Sequence, residues 1–138
     1  MKTVATIARY LLGLMFTVFG LNMFLHFIPM GPMPTGQAGD FMVVFTSSHY
    51  FYFVGAVMVI SGLLLLAGRF VPLALVLLGP VLVNILIFHI TMAPKGIGTG
   101  LVATLLWFLV FFRYRVAFAP LFKARVQDWS TAFRDLTR

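Results

Sequence analysis

The sequence contains no cysteine and only three acidic residues, and charged residues of both signs make up just 9% of its 138 residues. The absence of cysteine excludes disulfides, thiolate metal ligands and iron–sulfur ligation within this chain. Soluble domains carry about 25% charged residues, so the scarcity of charge excludes a water-soluble globule. It also excludes an intrinsically disordered chain, which needs high charge and low hydrophobicity.

Apolar residues make up 62% of the chain, and its mean hydropathy is +1.05. Four apolar runs stand out, at about 8–28, 50–67, 70–92 and 97–116, and each approaches the roughly 20 residues that cross a bilayer as a helix. The sequence therefore predicts an all-α membrane protein, with a four-helix transmembrane bundle over residues 1–120. The first run exceeds the 7–15 apolar residues or so of a signal peptide, so we expect it to be retained.

The net charge of +7 bears on orientation rather than on nucleic acid, and no nucleic-acid partner is predicted. If the four spans alternate in direction, nine of the ten basic residues lie on one side, and Lys95 and Asp40 lie on the other. Lys and Arg concentrate on the cytoplasmic side of membrane proteins. The pattern predicts that both termini are cytoplasmic.

Two further helices are predicted outside the spans. Asp40 is expected to N-cap a short helix over 41–46 that lies at the outer interface, because it is too short to cross the membrane. Residues 121–138 form a second region, in which the apolar residues 122, 126, 129, 133 and 136 follow one helical stripe. We expect an amphipathic helix over 121–137, either on the inner membrane surface or docked on a partner protein. Pro80 is expected to kink the third span.

Glycines predict which spans pack closely. Gly13 and Gly20 are seven residues apart in the first span, and Gly55 and Gly62 are seven apart in the second. Seven residues return to nearly the same helix face, and small residues let membrane helices approach closely. The four glycines therefore predict an antiparallel contact between these two spans.

Polar side chains within the spans define a candidate pocket of five residues: Asn22, His26, His49, Asn84 and His89. At 1.5 Å per residue, Asn22 lies about 20 Å from Arg9 and Asn84 about 22 Å from Arg69, so the two amides are expected to meet at one depth. Polar groups inside a membrane often serve function, whereas the alternative is that the asparagines only join helices and the histidines anchor the interface. The spacing predicts no metal site.

Several segments resemble the DoxX family of small bacterial and archaeal membrane proteins: 9–13 (RYLLG), 19–22 (FGLN), 62–70 (GLLLLAGRF) and 80–89 (PVLVNILIFH), with the ending 113–115 (RYR). The family takes its name from a subunit of a thiosulfate:quinone oxidoreductase, and other members are associated with membrane redox complexes. The resemblance implies a bacterial or archaeal cytoplasmic membrane. Many members carry a glutamate shortly before the segment that matches 62–70, and here Met58 stands at that position. The bundle of this chain therefore lacks that charge.

Two functions are consistent with these features. In the first, the chain is the membrane subunit of a quinone-linked redox system and holds a quinone or another hydrophobic molecule between the first and third spans, near the outer leaflet. His26 or His89 would bond a carbonyl there, and Asn22 and Asn84 would line the pocket. In the second, it is a non-catalytic scaffold or lipid-binding protein that recruits a partner through its tail.

The sequence contains no catalytic motif that would make it an enzyme by itself. The expected partners are membrane lipid, a hydrophobic small molecule, and a redox protein or further copies of this chain. A transporter would need oligomerisation, because four helices are few.

Overall fold

The computed structural model describes residues 2–29 and 31–124, and this part of the chain is helical. Five α-helices follow one another: α1 (Lys2–Leu25), α2 (Gln37–Ser47), α3 (Tyr50–Ala67), α4 (Val71–Thr91) and α5 (Ile97–Tyr114). Two 3-10 helices flank α5, at Pro94–Gly96 and Arg115–Phe122. Helices α1, α3 and α4, and α5 together with its flanking 3-10 helices, are long and apolar enough to cross a membrane. The protein is a multi-pass membrane protein by this criterion.

The observed helices follow the predicted spans, except at both ends of α1, which stops at Leu25 rather than at residue 28, and at the end of α5. α1 begins at Lys2 rather than near residue 8, so that Arg9 lies inside the helix. α5 gives way at Arg115 to a 3-10 helix that contains Pro120. Proline in a helix removes one backbone donor and clashes with the preceding turn, which is a physical reason for the tighter geometry around it. Pro80 lies within α4, which continues to Thr91, and the kink there stays a prediction.

The four long helices form a ring in which each contacts two neighbours. The main contacts are α1–α3, α3–α4, α4–α5 and α5–α1, so that α1 and α4 stand on a diagonal. Neighbours in the chain run in opposite directions because the connection between α3 and α4 is only three residues long. Gly68 permits this tight reversal by adopting a φ of 67°, a conformation that costs glycine little.

The contact between α1 and α3 is close enough for backbone to meet backbone. A Cβ atom built on Gly13 would lie 3.0 Å from the carbonyl oxygen of Gly62, and one built on Gly20 would lie 3.0 Å from that of Gly55. We call this contact, defined by the four glycines, the glycine seam. Leu12 and Leu65 are fully buried close by, and Leu75, Leu78 and Val110 carry the core across to α4 and α5.

Helix α2 lies across one end of the ring. The ring of Phe41 lies 5.4 Å from that of Phe88 in α4, and Phe45 lies 5.6 Å from Phe51 in α3. The expectation that Asp40 would N-cap this helix is wrong: the N-cap is Gly36, and the Asp40 N–H donates to the Gly36 carbonyl. Gly36 has a φ of 68°, which lets the chain turn into the helix before Asp40. That α2 lies at the outer membrane interface stays a prediction.

The predicted amphipathic helix over 121–137 falls almost entirely outside the described residues. Leu121 and Phe122 belong to the 3-10 helix that follows α5, and the described chain ends at residue 124.

Candidate functional site

The two ends of the bundle differ in chemistry. One end, which we call the basic end, carries the start of α1, the end of α3 and the end of α5, with Lys2, Arg9, Arg69, Arg113 and Arg115. The other, which we call the loop end, carries α2 and Lys95. All three histidines lie at the loop end, because His26 follows α1, His49 precedes α3 and His89 lies in the last turn of α4.

A half-open cavity of about 280 Å³ lies between the long helices in the loop-end half of the bundle. Its lining comes from all four of them and from the 3-10 turn before α5: Met15, Phe16, Phe19, Met58, Ile85, His89, Gly96, Thr99, Gly100 and Ala103. Phe16, Gly100 and Ala103 are buried, whereas Phe19, Gly96 and Thr99 are exposed. The floor of the cavity therefore lies in the bundle interior, and its mouth opens between α1 and the start of α5.

His89 is the only titratable side chain in this lining. Its Nδ1 lies 2.8 Å from the Ile85 carbonyl oxygen, and a carbonyl only accepts, so Nδ1 carries a proton and donates. In the neutral ring Nε2 is then a hydrogen-bond acceptor. The ring fits beside Gly96, where a Cβ atom would lie only 2.8 Å from Nε2. The glycine therefore makes room for the imidazole at the mouth of the cavity.

The lining as a whole suits a mostly apolar molecule with a polar edge. His89 and the hydroxyl of Thr99 are its only polar side chains, and both belong to the mouth or its border. Ligand pockets are lined mainly by apolar side chains with a few placed polar groups, and they span about 300–1,000 Å³. The cavity, at about 280 Å³, lies just below this range, which fits a single ring system rather than a long chain.

His26 and His49 do not line this cavity. Both are exposed and adopt positive φ angles, of 52° and 61°. The His26 ring stacks on Phe51 at 6.4 Å, and His49 lies 5.8 Å from the ring of Tyr52. These two histidines mark the ends of α1 and α3 at the loop end.

The prediction that Asn22 and Asn84 meet across the bundle is wrong. The Asn22 Oδ1 accepts the Ile28 N–H at 2.6 Å, and this bond closes the turn after α1. Asn84 is exposed, and its Nδ2 donates to the Pro80 carbonyl at 2.8 Å within α4. Two features explain the error: α1 and α4 stand on a diagonal, and residues five apart point about 140° apart around a helix. With His89 directed at the cavity, Asn84 must face outward.

Sequence reasoning missed most of the cavity lining because its residues are apolar and resemble ordinary core. Met58, noted only as a missing charge, lies in that lining. A usable signal was the pair Gly96 and Gly100, of which the first ends the 3-10 helix before α5 and the second lies four residues later in the first turn of α5. Small residues leave space next to a helix when the neighbouring helix does not pack directly against them.

Arg9 is a buried polar residue with a structural explanation. Its guanidinium Nη1 donates to the carbonyl of Leu65 and, at 3.3 Å, to that of Leu66. It also lies 4.3 Å above the ring of Tyr10. The last carbonyls of a helix have no partner within the helix, and a cation there also interacts favourably with the helix dipole. Arg9 therefore caps α3 from the neighbouring helix.

Within residues 2–29 and 31–124, no group of three His, Asp or Glu side chains is placed to hold a metal ion. Comparisons with protein-family models, with curated proteins and with solved structures returned no match to this chain. The resemblance to the DoxX family stays a prediction.

Proposed function

We propose that this protein is the membrane subunit of a quinone-linked redox system, and that its part is to hold a hydrophobic ring compound in the loop-end cavity. The observation that carries the proposal is the cavity itself: an apolar space between four membrane-length helices with one imidazole at its mouth. The function assigned to this chain is binding, and electron transfer belongs to a partner protein.

The hydrogen bond of His89 favours one redox state of such a compound. With Nδ1 donating to Ile85, the neutral ring offers Nε2 as an acceptor. A quinol hydroxyl can donate to that atom, whereas a quinone carbonyl only accepts and finds no partner there. The expectation that a histidine would bond a carbonyl is therefore replaced by a bond to a hydroxyl. The ring of the quinol would occupy the cavity, and its tail would leave through the mouth between α1 and α5.

The test compares two probes that differ only in redox state. The affinity of the purified protein in detergent micelles is measured by titration calorimetry for a benzoquinol with a short alkyl tail and for the matching benzoquinone. We expect tighter binding of the quinol by between about two- and tenfold, because one neutral hydrogen bond contributes roughly 0.5–1.5 kcal/mol.

The variant His89→Phe should abolish this preference for the quinol. His49→Phe is the matched control, because it makes the same chemical change at the same end of the bundle but outside the cavity lining. Equal binding of both probes by the unaltered protein would contradict the proposal, as would equal effects of the two variants. A second experiment extracts the small molecules that co-purify with the protein. Recovery of phospholipid without any quinone would favour the alternative that the protein is a scaffold.

We also propose that the basic end faces the cytoplasm of a bacterial or archaeal cell. The support is the distribution of charge, since the loop end contributes only Lys95 and Asp40 and basic residues concentrate on the cytoplasmic side. Reporter fusions after Arg138 and within 35–39 test this orientation. A cytoplasmic signal from the second position would reverse it.

A further inference from the structure

A second and larger groove lies at the basic end, far from the cavity described above. It occupies about 590 Å³ between the start of α1 and the end of α5. Three cationic residues line it, Lys2, Arg113 and Arg115, and its apolar wall includes Leu109, Phe112 and Val116. The groove therefore combines clustered positive charge with an apolar surface that continues along a membrane-length helix.

One of the three cations is held in place by the fold. The Arg113 Nη1 donates to the Lys2 carbonyl at 2.6 Å and to the Thr6 hydroxyl at 2.7 Å, so the guanidinium bridges α5 to α1. Arg115 and the side chain of Lys2 are exposed on either side of it. A guanidinium that is already ordered loses less side-chain entropy when a ligand binds to it.

The described chain supplies no carboxylate to balance these charges. Of the three acidic residues in the sequence, only Asp40 falls within residues 2–29 and 31–124, and it belongs to α2 at the loop end. The segment 125–138 carries three arginines against two aspartates, so its side chains add positive charge overall. Residues 2–29 and 31–124 therefore leave these charges free to bind an anion supplied from elsewhere.

We propose that this groove binds an anionic phospholipid. The phosphate would lie among Lys2, Arg113 and Arg115, and an acyl chain would contact Val116 of the following 3-10 helix and Leu109 and Phe112 of α5. A free phosphate would bind the cationic side chains but would make no contact with the apolar wall. Basic pockets between membrane helices recognise lipid headgroups in this way. The proposal is independent of the loop-end cavity and of the quinol bound there.

The experiment is native mass spectrometry of the full chain released from detergent with defined lipids, phosphatidylglycerol and phosphatidylcholine. The test variant is the double substitution Lys2→Gln with Arg115→Gln, which removes two charges but keeps the Arg113 bridge. The matched control is Arg69→Gln with Lys123→Gln, which removes two charges at the same end outside the groove lining. Thermal melting of each variant reports that it is folded.

We expect the unaltered protein to retain phosphatidylglycerol over phosphatidylcholine. The test variant should weaken phosphatidylglycerol binding on the order of tenfold to thirtyfold, and the control should weaken it far less. Equal losses in both variants would overturn the proposal, because a general field of positive charge would then explain the binding. Equal retention of the two lipids would also overturn it. If inorganic phosphate displaced phosphatidylglycerol completely, the groove would bind a free anion, and the lipid proposal would be overturned.

Discussion

Two helix contacts of the bundle use small residues to opposite effect. Between α1 and α3, each glycine of the seam faces another glycine, and the two backbones come into contact at Gly13–Gly62 and at Gly20–Gly55. Between α5 and α4, the small residue faces larger side chains: a Cβ atom on Gly100 would meet only the side chains of Ile85 and Leu86, at 3.2 and 3.4 Å.

Whether the two helices touch depends on whether both of them, or only one, carry a small residue at the same level. Where both helices are small at the same level, they approach until the backbones touch, and where only one helix is small, space remains. The same residue type thus closes the α1–α3 contact and borders the open cavity where α5 meets α4. Four predictions can break or sharpen this difference, and they are taken in order of expected effect.

The largest effect is expected for Gly62→Ala in the seam. The new Cβ would overlap the Thr17 hydroxyl and would lie 2.7 Å from the Thr17 backbone nitrogen, so the helices must separate. Overpacking of this kind costs about 1–3 kcal/mol, and we expect a value near the upper limit because backbone cannot move aside as a side chain can. The measurement is reversible unfolding in detergent micelles.

Gly79→Ala is the control for that substitution. It makes the identical change in α4, at a position where a Cβ atom meets nothing within 4 Å. It should leave the free energy of unfolding unchanged or raise it by about 0.5–1 kcal/mol, because glycine weakens a helix interior relative to alanine. Equal effects of the two substitutions would mean that the seam is not in close contact.

The next effect is expected for Arg9→Met, which removes the cap on α3 beside the seam. The Leu65 carbonyl loses its charged donor and keeps only the Gly68 N–H at 3.2 Å, and hydrogen bonds that involve a charged group contribute about 1.5–3 kcal/mol. We expect the free energy of unfolding to fall by about 2 kcal/mol. Arg69→Met, at an exposed position near the same turn, should change it little. If both variants unfold alike, the cap contributes nothing beyond general charge.

A smaller effect on stability is expected for Ala103→Leu, which fills the open side. Ala103 is buried and lines the cavity, so the added carbons enter space instead of meeting backbone. We expect the free energy of unfolding to change by less than about 1 kcal/mol, within the range of tolerated core changes, and binding of the quinol probe to be lost. A loss of stability as large as that of Gly62→Ala would show that this side is as closely packed as the seam.

The sequence predicts the helices well and the site poorly, for physical reasons. Membrane-length apolar runs and their basic flanks are local properties of the chain, so four spans emerge from hydropathy. Which face of a helix turns inward depends on its neighbours. Depth alone matched Asn22 with Asn84, but depth carries no information on rotation about the helix axis. The position of His89 in the cavity lining depends on the room left by Gly96, which no single-helix pattern contains.

The smallest expected quantity is the coupling energy between Asn22 and Asn84, because the structure keeps the two side chains apart. Asn22→Leu should lower the free energy of unfolding by about 1 kcal/mol, because the bond to Ile28 is lost. Asn84→Leu should have almost no effect, since its amide is exposed and bonds only its own helix. In the double variant the two changes should add within about 0.3–0.5 kcal/mol, as separated sites do. A coupling energy above that range in the double-mutant cycle would restore a direct contact between the amides, and with it an α1–α4 approach that would leave no room for the cavity.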